Sequence, residues 1–288
     1  MTPSPLPHVM IEPLVRMALL EDLGRAGDLT TDAIVPAGRR ATTLLVARQP
    51  GVVAGLDLTR LAFQLTDPAI EMHIDRNDGA VLSPGDVIAT ITGPARGILT
   101  AERVALNFLC RLSGIATAAA SVVAAVRDYR TKIVCTRKTT PGLRAIEKYA
   151  IRVGGGSNHR FGLDDAMLIK DNHVAIAGSV TEALKRAKNA VGHLVKIELE
   201  VDTLCQLREA LDHGVDAVLL DNMDPATLTE AVTMVAGRAV TEASGRITPT
   251  TAPQIAATGV DLISIGWLTH SVSVLDIGLD FKRDDLKM

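Results

Sequence analysis

The feature that most constrains the fold is a repeat that sets in after residue 131. Short β-branched or aliphatic runs recur: KIVCT (132–136), AMLIK (166–170), VKIELE (195–200), DAVLLD (216–221), RAVTE (238–242) and DLISIG (261–266). Helical stretches at 179–190, 202–213, 224–236 and 250–258 separate the later runs. Parallel neighbours need a crossover, so this alternation predicts βα units and a parallel sheet. Several units in tandem favour a (β/α) barrel over an open sheet.

The preceding part has a different rhythm. An amphipathic helix is expected over 10–22, ending near Gly24, and 41–95 is rich in β runs interrupted by one helix at 57–66. Turn signals fall at Gly51, Asn77-Asp78-Gly79, Ser83-Pro84-Gly85 and Gly93-Pro94. Residues 100–128 read as one or two helices, with a break at Ser113-Gly114. The chain is α/β throughout: a mixed α/β layer over 1–115, then a βα barrel over 116–270. The tail, 271–288, has no clear period.

Composition excludes several classes. The chain has 288 residues, 47% of them hydrophobic, which is too apolar for a disordered state. Uninterrupted apolar runs fall short of the ~18 residues of a membrane span, and no secretory signal is expected. Aromatics at 2% are too few for a base-stacking single-strand binder, and a net charge of −3 provides no field for nucleic acid. Three scattered cysteines (Cys110, Cys135, Cys205) argue against a disulfide framework and fit a reducing compartment, the cytoplasm. Cys135 and Cys205 read as buried fillers.

Charge is unevenly distributed. Residues 131–160 carry Lys132, Arg137, Lys138, Arg144, Lys148, Arg152 and Arg160 against one acid, Glu147, a local net of +6. Such a cluster in an acidic chain suggests a pocket for a small, highly charged anion. For Arg144, Lys148 and Arg152, spaced by four, a solvated helix face is an equal reading.

Each short strand ends in a polar cluster: Thr136-Arg137-Lys138-Thr139-Thr140, Lys170-Asp171-Asn172-His173, Glu198 with Glu200, Asp221-Asn222, Glu242-Ala243-Ser244-Gly245, and Trp267-Leu268-Thr269-His270-Ser271. The C-terminal strand ends of a barrel converge on one mouth, where active sites are built. Arg137, Lys138, Arg160 and Lys170, with His159, offer cationic donors to carboxylate or phosphate. Glu200 and Asp221, at successive strand ends, suit Mg²⁺ carried in by a phosphorylated substrate, or pair with the lysines. Ser244-Gly245-Arg246 and Gly266-Trp267 are glycine turns where backbone N–H groups can approach an anion. The run Val153 to Arg160, with three glycines, lacks dinucleotide and P-loop spacing and reads as a close-approach turn delivering His159 and Arg160.

Taken in order, these residues resemble the quinolinate phosphoribosyltransferases. The resemblance covers nearly the whole chain. It rests on Glu21-Asp22 with Gly27 to Thr31, Thr100 to Arg103, Leu112 to Thr117, Cys135 to Gly142, Glu147-Lys148-Tyr149-Ala150, Gly154 to Arg160, Ile169 to His173, Glu198 to Asp202, Leu220 to Met223 and Leu268 to Ser271. It implies an N-terminal α/β sandwich, against which the tail could pack, and an incomplete (β/α) barrel. The implied reaction joins quinolinate and phosphoribosyl pyrophosphate, with Mg²⁺, into nicotinate mononucleotide, pyrophosphate and CO₂, a committed step of NAD synthesis. The implied assembly is a homodimer, or a higher oligomer, whose sites are shared across the interface.

By the same resemblance, Arg137, His159, Arg160 and Lys170 hold the quinolinate carboxylates and Arg103 reaches in from a partner subunit. Lys138, Glu200 and Asp221 serve the donor and its Mg²⁺ as the catalytic set. Ser244, Gly245, Gly266 and His270 hold the 5′-phosphate. Arg246 stands where the family usually has glycine and Trp267 where it has a small residue, so Arg246 is expected to add a phosphate donor. Cys110 stands where glutamine is common. A sister group of similar sequence associated with molybdate-transport operons, a Schiff-base aldolase using Lys138 or Lys170, and a binding module without turnover are the rival readings.

Overall fold

The computed structural model describes residues 3–282. In chain order the elements begin with α1 (His8–Leu23), α2 (Leu29–Ile34), β1 (Arg40–Ala47), β2 (Gly51–Val52), α3 (Leu56–Thr66), β3 (Glu71–Ile74), β4 (Val81–Leu82), β5 (Val87–Pro94) and α4 (Ala95–Ala125). Then come β6 (Lys132–Val134), α5 (Arg144–Val153), β7 (Met167–Ile169), α6 (Asp171–Ala177), α7 (Val180–Ala190), β8 (Ile197–Val201) and α8 (Leu204–His213). The last are β9 (Ala217–Asp221), α9 (Pro225–Val235), β10 (Val240–Ser244), α10 (Ala252–Ala256), β11 (Leu262–Ser264), α11 (Trp267–His270) and β12 (Ile277–Phe281). Contacts divide the chain into two units. One holds the residues up to Ala120, Pro141–Gly155 and those from Ser271; the other holds Ser121–Thr140 and Gly156–His270. The segment 141–155, which the sequence reading assigns to the barrel, thus clusters with the first unit.

In the first unit an antiparallel sheet runs in the order β12-β1-β5-β3. Burial alternates along β1, as a half-buried strand requires, and Thr43 to Ala47 pair with Phe281 to Ile277 of β12. The tail without a readable period therefore forms an edge strand as far as Phe281, and 283–288 lie outside the described residues. The core of this unit is α4, whose Ile98, Ala101, Ala105, Leu109, Leu112, Ile115, Ala116 and Ala119 recur at helical spacing and are fully buried.

One expectation fails on α4. It is one continuous helix through Ser113-Gly114. Ser113 bonds the backbone of Ala54, and a Cβ on Gly114 would lie 2.2 Å from the Ser273 carbonyl oxygen, so both small residues admit close packing. By length and composition alone, α4 is also apolar enough to cross a bilayer, with mean hydropathy 1.6 over 18 residues, 44% of that window being buried. Charged residues such as Arg111 interrupt its apolar run, which is why counting uninterrupted residues passed over it.

The helix α5 is buried along most of its length. Glu147 and Lys148 are fully inaccessible and Arg152 is exposed, so the Arg144–Lys148–Arg152 row is not a solvated face. Gly154 ends α5 at a point where a Cβ would lie 2.3 Å from the Ala116 carbonyl oxygen, which makes this part of the glycine run a close approach.

Among its described residues the second unit holds a six-stranded parallel sheet of order β6-β11-β10-β9-β8-β7. Helices follow β7, β8, β9, β10 and β11, giving an incomplete (β/α) barrel with β6 and β7 at its edges. Ser157 lies in parallel beside β6, exchanging backbone bonds with Ile133 and Cys135. Arg160, three residues on, donates from Nη1 to the carbonyl of Ala166 just before β7 (3.1 Å), which ties the two edges by a side chain. Side chains cap α7 through Ser179, α8 through the reciprocal Thr203–Gln206 pair and α9 through Asp224. Cys205 is exposed, contrary to expectation. The buried face of α8 runs through Leu207, Ala210 and Leu211, and Cys205 is off that face.

Candidate active site

In a parallel strand, residues two apart share a face. Glu198 and Glu200 therefore point the same way from β8, as do Glu242 and Ser244 from β10. The pairing of Ser244 with Asp221 aligns the ends of β10 and β9. The C-terminal ends so aligned open onto two cavities. One, of about 400 Å³, is lined by Thr136, Arg137, Lys138, His159, Arg160, Leu168, Lys170, Glu200, Asp221, Glu242 and Ser244. The other, of about 430 Å³, is lined by Thr136, Lys138, Asp221, Asn222, Ser244, Gly245, Arg246, Ile247, Ser264, Ile265, Gly266, Trp267 and His270. Thr136, Lys138, Asp221 and Ser244 border both.

Charge in the first cavity is only partly compensated. Lys170 Nζ lies 3.3 Å from Glu200 Oε2, an ammonium–carboxylate pair. Burial raises the Glu200 carboxyl above its ordinary value, opposed by Lys170 and reinforced by Asp221. Burial and the neighbouring Arg137 hold the Arg160 guanidinium below its ordinary range. The Arg137 Nε is buried with no hydrogen-bond partner. Perturbed charges and an unpartnered buried donor gathered in one cavity are the marks of a functional site.

Beneath this layer sits a second one. His159 Nε2 is 2.9 Å from Glu198 Oε2 and 3.7 Å from Glu242 Oε1, while His159 Nδ1 accepts the backbone N–H of Arg160 at 2.8 Å. Glu242 is 1% exposed, and its Oε1 has no hydrogen-bond partner. Burial and the charge of Glu198 push its carboxyl up to about 7.

The second cavity is formed by backbone turns. Gly245 has φ +115°, and a Cβ there would lie 2.3 Å from Asn222 Oδ1. Asn222 and Arg246 are themselves left-handed, at φ +52° and +48°. For a side chain as large as arginine this conformation costs about 1 kcal/mol. Trp267 donates Nε1–H to the Ile247 carbonyl at 2.8 Å and so joins the two glycine turns. Thr269 Oγ1 donates to the Lys138 carbonyl at 2.6 Å, fixing the backbone from which Lys138 projects.

Of the residues expected in the site, Lys138, Glu200, Asp221, Arg137, His159, Arg160, Lys170, Ser244, Gly245, Arg246, Gly266 and His270 all line these cavities. Arg103 does not. It is exposed on α4 and lines a cavity of about 280 Å³ in the first unit with Glu21, Asp22, Arg111 and Glu147. The sequence reading missed the Trp267–Ile247 tether and the depth of Glu198 and Glu242. The two-residue spacing from Glu200 and Ser244 was the available signal for the latter.

An incomplete barrel whose strand ends gather five lysine and arginine side chains, three carboxylates and two glycine turns defines an enzyme of phosphorylated, anionic substrates. Comparison with known proteins gives the family. Residues 28–113 match the N-terminal domain, and 115–280 the C-terminal domain, of quinolinate phosphoribosyl transferase. The probable nicotinate-nucleotide pyrophosphorylase (carboxylating) of Bacillus subtilis is 45% identical over 273 residues, covering 95% of this chain and 94% of that protein. The Mycobacterium leprae nicotinate-nucleotide pyrophosphorylase (carboxylating) is 47% identical, covering 92% and 95%. The crystal structure of NadC from Streptococcus pyogenes superposes with a TM-score of 0.93 at 42% identity, covering 97% of this chain and all of that one. The chain belongs to the quinolinate phosphoribosyltransferase family.

Proposed function

We propose that this protein transfers the phosphoribosyl group of phosphoribosyl pyrophosphate to the ring nitrogen of quinolinate, with decarboxylation, giving nicotinate mononucleotide, pyrophosphate and CO₂ for NAD synthesis. The observation that carries this reading is the pair of cavities sharing Lys138 and Asp221, one rich in guanidinium and ammonium groups, the other walled by glycine turns. A pyridine dicarboxylate and a ribose phosphate have complementary charge to the two, and the shared residues fall where the new bond would form.

In this reading Arg137, Arg160 and Lys170 bind the two carboxylates, with the unpartnered Arg137 Nε as one donor. Ser244, Gly245, Arg246, Gly266 and His270 hold the 5′-phosphate. Lys138, positioned by Thr269, stabilises the departing pyrophosphate. Glu200 and Asp221 are oxygen donors on adjacent strands whose charges oppose one another, and they fit a hard divalent cation such as Mg²⁺. When bound, that ion neutralises charge on the pyrophosphate. Positioning and electrostatic stabilisation of an oxocarbenium-like state then account for the rate, without a covalent nucleophile. The pyridinium nitrogen stabilises the electron pair left on C2 when the bond to the 2-carboxylate breaks and CO₂ departs, and a proton from solvent then fills C2 to give nicotinate mononucleotide. Arg103 completes the carboxylate site from the partner in a homodimer, in the cytoplasm.

The test follows nicotinate mononucleotide and CO₂ together, with quinolinate, the donor and Mg²⁺. Equal amounts of both are expected. No product from folded, Mg²⁺-supplied protein would overturn the reading.

A further inference from the structure

The stretch that leads from β10 to α10 walls the second cavity and is thinly held. The ladder of β10 ends at Ser244, and Thr248 with Thr251 closes the turn that starts α10. Between them, among the described residues, the backbone of 245–247 makes one hydrogen bond. It is the bond that the Ile247 carbonyl accepts from Trp267 Nε1 at 2.8 Å. The N–H groups of Gly245, Arg246 and Ile247 are left for a ligand.

The same stretch carries strain. Gly245 at φ +115° and Arg246 at φ +48° are successive left-handed residues. Glycine adopts such angles freely, whereas an arginine keeps them only where its surroundings hold it. The Arg246 side chain provides no hold, because it is exposed and its guanidinium has no partner among the described residues. On one side the restraint is Asn222, packed against Gly245; on the other it is the bond from Trp267 to Ile247.

The donor of that bond is itself fixed. Trp267 opens α11, where Leu268 and Thr269 are fully inaccessible. Thr269 donates to the Lys138 carbonyl at 2.6 Å, and Trp267 donates to Ile247. A single turn of helix thus bolts two walls of the cavity together through side-chain donors.

We propose that Trp267 is a positioning residue: its indole N–H clasps the Ile247 carbonyl and holds the Gly245–Ile247 turn, left-handed Arg246 included, as a cradle formed before the phosphate of the donor arrives. The phosphate rests on the phosphoribosyl reading of this cavity; the clasp does not. A turn already in place spares the donor the cost of ordering it. Trp267 and Ile247 border the second cavity and not the first, so the effect is confined to the phosphoribosyl donor.

Two measurements test it. Trp267 is the one tryptophan of the chain, so its indole N–H is a single resonance in nitrogen-15 NMR of the whole protein. That N–H should be protected from solvent exchange in the free protein, and remain so with ribose 5-phosphate bound. A rapidly exchanging indole N–H in the free protein would overturn the proposal, and this readout needs neither turnover nor a variant. In kinetics, Trp267→Phe keeps a ring at the wall and removes the donor. It should raise the KM for phosphoribosyl pyrophosphate about fivefold, the scale of one hydrogen bond, with the quinolinate KM unchanged. Equal rises in both KM values, or an unchanged donor KM, would overturn the positioning role. Ribose 5-phosphate that fails to bind a wild-type protein whose indole N–H is protected would refute the phosphoribosyl reading alone.

Discussion

Both units bury charged side chains, but they treat them in opposite ways. In the first unit the charges are matched. Arg111 Nη2 meets the fully buried Glu147 at 2.9 Å, and Tyr149 donates to Asp78 at 2.7 Å while Asp78 also accepts the N–H groups of Gly55 and Leu56. Burial raises the Asp78 carboxyl, and these bonds partly offset that. In the second unit Glu200 and Asp221 oppose each other, Arg137 and Arg160 oppose each other, and the Arg137 Nε is unpartnered. Satisfied burial holds a fold together; unsatisfied burial is tolerated where a ligand supplies what is missing.

Substitutions can break this contrast. The largest effect is expected at Glu200→Gln, which should lower kcat/KM by about 10²–10³-fold, the scale of losing one preorganised charge contact. Its denaturation midpoint should not fall, because a carboxylate raised by burial is replaced by a neutral isostere. A marked loss of stability would place Glu200 among the matched charges. Glu147→Ala should behave in the opposite sense, with denaturant unfolding showing a loss of about 3 kcal/mol, since the fully buried carboxylate that Arg111 Nη2 meets is removed. A change below about 1 kcal/mol would show that pair to be no different from a surface one. The smallest effect sharpens the rule at the Ser244-Gly245-Arg246 turn. Arg246→Gly relieves a left-handed arginine and should leave stability unchanged or raise it by up to about 1 kcal/mol. The same change should raise the KM for phosphoribosyl pyrophosphate several-fold; an unchanged KM would remove Arg246 from phosphate binding.

The same contrast explains what could be read in advance. The polar clusters after each β run gave away the mouth of the barrel, since a parallel sheet sends all its C-terminal ends to one side. Lys138, Glu200, Asp221 and Ser244 were legible for that reason. The status of Lys148 was not, because spacing of four describes a helix face without saying what covers it, and α5 buries that lysine completely. The apparent break at Ser113-Gly114 was a packing feature, visible only once residues near Ala54 and Ser273 lay against α4.

By itself, then, the chain's order of residues determined the two-part α/β architecture, the strands of the parallel sheet and the identity of nearly every charged group in the site, because periodicity and strand-end polarity are local properties. Tertiary structure alone decided which of those groups are paired. Whether Glu147 finds Arg111, whether the His159 ring turns to Glu198, and whether Trp267 reaches Ile247 depend on distances of about 3 Å between residues 20 to 39 positions apart. Hydrogen bonds and ion pairs are short-ranged, and only the packed backbone sets such distances.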